Sequence, residues 1–269
     1  MRLFVGFINF CAITLCGIAL AAASSAQSTV GTSAAKHPEI TQAGNVMHLA
    51  VTGARPLADA VDALQSEYGW HINYEDPQFI SKLDVTESTD VRYANAASGT
   101  HPHTPNGGAF SVDFPAGVGS KSPDAASTLK IVIDAYNKSS NPGQFELRTQ
   151  GQYFDVVGVV AHNEAGAIQQ QHSPLDELIT VSSAEQPAID AVISICNQIS
   201  KLGPTVNLGV YPRSALSRPI SLAVAKLPAR EALSRIASAT VGESGRTMCW
   251  RLLYDPDSKS YFINLHMQK

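Results

Sequence analysis

Residues 101–103, His-Pro-His, set two imidazoles two positions apart, and imidazole is the commonest protein ligand for a metal. A metal centre needs three or four ligands held by a supporting shell. Glu87, Asp90 and Asp113 are the carboxylates near His101 and His103, and no ligand spacing selects them. The pair reads as an exposed loop, and no metal is expected. Glu75 and Asp76 are adjacent carboxylates at the end of an alternating segment. Neighbours in a strand point to opposite faces, so they read as a strand terminus and not as an acid–base pair. Residues 117–122, GVGSKS, lack the G-x-x-x-x-G-K-[ST] spacing of a phosphate loop and read as a turn. No G-x-S-x-G is present, Asp255 and Asp257 fit a hairpin turn, and Asn137-Lys138-Ser139 is a formal glycosylation sequon. Trp70 and Trp250 could line a groove, but both sit on alternating strand patterns that favour burial. No catalytic residue, cofactor or metal ligand is assigned from these residues.

The elements around them form a pattern. Pro56 suits the first turn of a helix. Leu57, Ala60, Val61, Leu64 and Tyr68 make one apolar stripe, and Gly69 supplies a stop. Residues 70–74, WHINY, alternate as a half-buried strand and Pro77 ends it. A strand at 110–114 and a helix striped by Leu129, Val132, Ile133 and Tyr136 follow, then a hairpin over 144–160. After a polar stretch at 161–174 the same order returns. It comprises a strand near 178–182, a helix with Val192, Ile195, Cys196 and Ile199, and strands at 206–210 and 220–224. A helix opened by Pro228 and a hairpin over 247–266 complete it. Asp59-Ala60-Val61 matches Asp190-Ala191-Val192, and Tyr153-Phe154 matches Tyr261-Phe262. An internal repeat of mixed elements points to an α+β fold. It would hold two tandem small modules, each a mixed sheet packed with two helices in the order β-α-β-β-α-β-β.

The chain has 269 residues, is 44% hydrophobic and carries a formal net charge of −4. With no basic block, nothing in the charge favours nucleic acid. Residues 1–26 read as a signal peptide: a positive start, an apolar run and a small-residue exit ending at Ala26. No membrane span is expected after its removal. Residues 27–44 read as a flexible N-terminus. Cys11 and Cys16 leave with the signal. Cys196 and Cys249 remain, either as a disulfide of an exported protein or as two separate buried thiols.

Residues 55–61 (RPLADAV) and 69–74 (GWHINY), with 220–224 (ISLAV) and 227–233 (LPAREAL), resemble the short N-terminal modules of secretins and TonB-dependent receptors and the related secretin N-domains. The resemblance covers most of the chain after residue 44 as two degenerate copies. It implies a first module at 45–160 with an insertion at 81–108, a linker at 161–174 and a second module at 175–269. It also implies a non-enzymatic periplasmic protein contacting an envelope secretion or receptor component. No catalytic residue transfers. Trp70, His71 and Tyr74, aromatic in the first copy only, are the expected partner surface. The alternative is a small-molecule or metal-binding protein with a site between the modules, near Trp70, the insertion and the linker.

Overall fold

A computed structural model describes residues 38–88, 101–118, 122–181, 185–241 and 246–268. The expected signal peptide lies outside them. So do residues 27–37 of the expected flexible N-terminus, 89–100 of the insertion, and 119–121 of the GVGSKS turn.

The first half opens with β1 (Glu39–Ala43) and β2 (Val46–Thr52), whose Met47, Leu49 and Val51 point inward. Helix α1 (Pro56–Tyr68) follows with Pro56 in its first turn. It ends at Gly69, whose φ of 71° is the left-handed cap a glycine adopts without steric cost. Then come β3 (His71–Glu75), β4 (Val85–Glu87), β5 (His103–Pro105) and β6 (Ala109–Pro115). Helix α2 (Ala125–Asn137) has an Asp124 cap that accepts from the Ser127 N–H. The half closes with β7 (Gln144–Gln150), β8 (Tyr153–His162) and β9 (Ile168–Gln170). The second half runs β10 (Leu178–Val181), β11 (Glu185–Pro187), α3 (Ala188–Leu202), β12 (Val206–Leu208), α4 (Arg213–Leu216) and β13 (Pro219–Ser221). It ends with β14 (Val224–Pro228), α5 (Ala229–Ala239), β15 (Met248–Asp255) and β16 (Ser260–Met267). The fold is α+β.

One sheet crosses both halves in the order β12-β16-β15-β3-β8-β7, with β9 on β8. In the first half β8 runs parallel to β3 and antiparallel to β7; in the second, β16 runs parallel to β12 and antiparallel to β15. The halves meet where β15 runs parallel to β3, with Arg251 beside Tyr74 and Leu252 beside Glu75. Ile72, Tyr74 and Val156 join α1, α2, β2 and β6 in one core. Trp250, Leu252 and Ile263 join α3, α5, β10 and β14 in a second. Because in-register neighbours share a face, the two helix pairs cover opposite faces of the shared sheet. Smaller sheets, β1-β2-β6 on one side and β10-β14 and β11-β13 on the other, close the outer layers.

Several expectations change. Residues 39–43 are paired strand, because β1 registers along the whole of β2, and are not part of a flexible N-terminus. Residues 161–174 are not a free linker. Strand β8 runs on to His162, β9 pairs with it, and a 3-10 turn (Pro174–Asp176) buries Leu175 completely. The expected strand at 220–224 is two short strands, β13 and β14. Strand β3 is buried on both faces and not half-buried, as strands flanked by parallel neighbours are. In the repeat, the counterpart of Tyr261 is Phe154, not Tyr153. Ile72 pairs with Phe154 as Val206 pairs with Tyr261, and Ile72 and Val206 both face their own core.

Candidate functional site

Glu75 and Asp76 both end up buried, at 1% and 2% exposure. Alternation along β3 separates them as expected. Tyr74 and Asp76 share one side, and the Tyr74 hydroxyl donates to the Asp76 carboxylate at 2.9 Å. Arg55 Nε (2.7 Å) and the Tyr254 N–H (2.9 Å) also donate to it, while Arg55 Nη2 donates to the Tyr254 carbonyl (2.7 Å). Burial lowers the Arg55 pKa, but the charge and hydrogen bond of Asp76, with Tyr74 and Asp255, together outweigh it and the net shift is upward. This network ties the turn before α1 to the end of β3 and to β15.

Asn73 and Glu75 face the other way. Arg230 of α5 donates through Nη1 to Glu75 (2.6 Å) and through Nε to Asp176 (3.0 Å), and the Ser173 hydroxyl donates to Glu75. Asn73 donates to Asp155 (2.8 Å) and accepts from the Trp250 N–H (3.0 Å). Burial raises the Glu75 and Asp155 pKa values; Arg230 opposes it at Glu75, and Asn73 then Arg230 oppose it at Asp155. The two networks occupy the seam between the halves, and most of their polar groups engage one another, although Asp155 Oδ2 and Arg230 Nη2 are buried without a hydrogen bond. Breaking a buried pair of this kind leaves an uncompensated charge, so its first role is to hold the seam.

An open cleft lies on the same seam. It holds about 570 Å³ between α1 and the end of β16, lined by Asp62, Gln65, Val210, Arg251, Asn264 and His266 among others. The size is that of a small-molecule site. Arg251 pairs with Asp62 across the seam, and burial pulls its pKa down to about 10 against the pull of Asp59. Burial, with help from Arg251, pushes His266 down to about 4, so it is neutral at pH 7. The cleft thus offers an imidazole, the amides of Gln65, Asn264 and Gln268, and a paired guanidinium beside apolar surface.

The residues singled out from the sequence scatter. Tyr74 is buried, so it is no part of a partner surface. Trp70 is half-buried and stacked on Tyr68 at 4.7 Å between ring centroids, and His71 lies against Tyr153 at 5.5 Å. Strand β3, which begins at His71, has β8 along one edge and β15 beside Tyr74 and Glu75 on the other. Trp250 is fully buried. Cys196 and Cys249 are both free and buried, one on α3 and one on β15, not a disulfide. Burial pushes each thiol up to about 12. His103 binds Asp257 through Nδ1 (2.6 Å) and its N–H (2.8 Å), which fastens β5 to the β15–β16 turn. Among the described residues no three metal-ligating side chains cluster. Asn137 bonds Phe145 through both amide atoms, at 2.8 and 2.9 Å. No helix among the described residues is long and apolar enough to cross a membrane. The residues missed from the sequence are Arg230, Asp155, Gln65 and the Asp62–Arg251 pair. Their partners lie up to 201 residues away, and no local pattern marks them.

Compared with known proteins, the chain matches no family model, no curated protein and no solved structure.

Proposed function

We propose that the chain is an exported, non-enzymatic protein acting by protein–protein contact in the bacterial envelope, made of two modules of the secretin and TonB short N-terminal kind. The observation that carries this reading is the matched pairing of the halves. In each, the second hairpin strand lies parallel to the strand that follows the first helix, in the same register. The buried acids support it too, since Glu75, Asp76 and Asp155 are engaged with Arg230, Arg55 and Asn73. The contact would be made by sheet edges or helix faces. The partner is a component of a secretion or receptor assembly. Site-specific photo-crosslinking in cells, with the probe on β7 or β12, should trap a discrete envelope protein. A purified protein that hydrolyses a substrate through one labelled nucleophile would overturn the reading.

A second reading is favoured by the 570 Å³ cleft alone: a small-molecule binding protein with its site between the halves. A ligand that binds only the folded state raises the unfolding midpoint. A thermal-shift panel, repeated on His266→Ala, decides it: a rise in the parent that vanishes in the variant supports this reading.

A further inference from the structure

The junction inside the chain can be repeated outside it. Going from the first half to the second, the sheet order β7-β8-β3 becomes β15-β16-β12, strand directions reverse, and the helix-covered face reverses. A half-turn about an axis lying in the sheet across the strands, with a shift along that axis, does all three. Under this operation β3 corresponds to β12 and β15 to β7. The β3 edge is occupied by β15, whereas β12 and β7 end the sheet among the described residues. A second application would set β7 of another copy against β12, parallel, with Gly209 beside Leu147 in place of Glu75 beside Leu252.

The side chains at these two ends have changed together. At the internal junction Asp62 meets Arg251 and Glu75 meets Arg230. The repeat aligns Asp59-Ala60-Val61 with Asp190-Ala191-Val192, which makes Ile193 the counterpart of Asp62. Gly209 and Val210 stand for Glu75 and Asp76. On the opposing end Glu146 stands for Arg251 and Ala126 for Arg230. The acids that need cationic partners are absent from the β12 end, and the arginines that supply them are absent from the β7 end. Glu146 keeps its own partner, Arg148, at 2.6 Å. Docking therefore strands no buried charge. What the β12 end exposes instead is apolar, Val210 at 76% and Ile193 at 40%.

We infer that the protein associates with itself head to tail, β12 of one copy against β7 of the next. The inference rests on the interaction reading and adds a second copy of this chain to the partners it names. A heterologous contact of this kind does not close on a dimer. Sedimentation of the purified protein at rising concentration should show an average mass that climbs past the dimer without a plateau. Amides of both β7 and β12 should gain exchange protection only at high concentration. Val210→Lys places a charge on the edge and should weaken association about tenfold or more. Ile193→Lys should do the same, with circular dichroism confirming that each variant folds. A protein monomeric at every concentration, a mass that stops at the dimer, or association unchanged in both folded variants overturns the inference. A monomer that still crosslinks to an envelope partner overturns it while leaving the interaction reading standing.

Discussion

Arg55 and Asp76 lie 21 residues apart and meet at 2.7 Å, with the Asp76 side chain wholly closed to solvent. The contact closes the loop of chain that contains α1 and β3. Through the Tyr254 N–H it also holds the β15 edge. Asp76→Ala would strand a guanidinium, a tyrosine hydroxyl and a backbone N–H at once. The expected loss is about 3–5 kcal/mol of unfolding free energy, read from urea titration. Arg55→Met/Asp76→Leu should recover the part that comes from the unpaired guanidinium, while the Tyr74 hydroxyl and the Tyr254 N–H stay without their acceptor. A single-variant loss below about 1 kcal/mol would contradict this role.

His266 predicts the acid side of the stability curve. Its folded pKa is about 4 against an ordinary 6.5. Between those values the unfolded chain holds more protons at this group, so stability rises with pH through the window and is lost on acidification. The full effect is up to about 3 kcal/mol. Glu75 runs the other way: burial raises its pKa, so its contribution falls as pH climbs above 4.5. Unfolding midpoints measured from pH 4 to 7 should lose slope in His266→Asn and gain slope in Glu75→Gln. A His266→Asn curve parallel to that of the parent would show that the His266 pKa does not differ between the folded and unfolded chain.

The two thiols predict a simple labelling result. Cys196 and Cys249 are free, buried and driven up to about 12, so almost no reactive thiolate exists at neutral pH. Iodoacetamide should leave both untouched in the native protein and modify both in denaturant without reductant. Peptide mapping that recovers a linked Cys196–Cys249 pair would reverse the assignment.

Gly158 is set where β8 passes the β3 terminus. A Cβ there would stand 2.4 Å from both the nitrogen and the Cδ of Pro77. Neither atom can swing aside, so Gly158→Ala should cost about 1–3 kcal/mol or more. Gly151, with open space around its Cβ position but a φ of 58°, should lose less on the same change. Thermal melts of the two variants give the ranking.

The two tryptophans differ in exposure and should differ in emission. Trp250 is fully enclosed, while Trp70 is half-buried on Tyr68. Trp70→Phe should leave blue-shifted fluorescence that acrylamide hardly quenches, and Trp250→Phe should leave the quenchable component. Equal quenching in the two variants would mean that Trp250 is reachable by solvent.

The long helices, most of the long strands and the α+β class were legible locally in the sequence by itself, whereas the pairing of residues 39–43 and of 168–170 was not. A stripe such as Leu57, Ala60, Val61 and Leu64, opened by Pro56 and stopped by Gly69, encodes a helix through backbone and burial preferences that act within a few residues. The sequence also determined that Glu75 and Asp76 would point apart, because alternation is a property of any strand. What lay beyond it was decided by contacts between distant residues. The β3–β15 pairing makes one sheet of the two halves and turns a strand with polar Asn73 and Glu75 into a buried one. Arg230 reaches Glu75 across 155 positions, and Asp62 pairs with Arg251 across 189. Only those long closures fixed the seam with its cleft, removed Tyr74 from the surface, and left β7 and β12 as the ends of the sheet. Side-chain periodicity carries which face is buried; it does not carry which strand arrives to bury it.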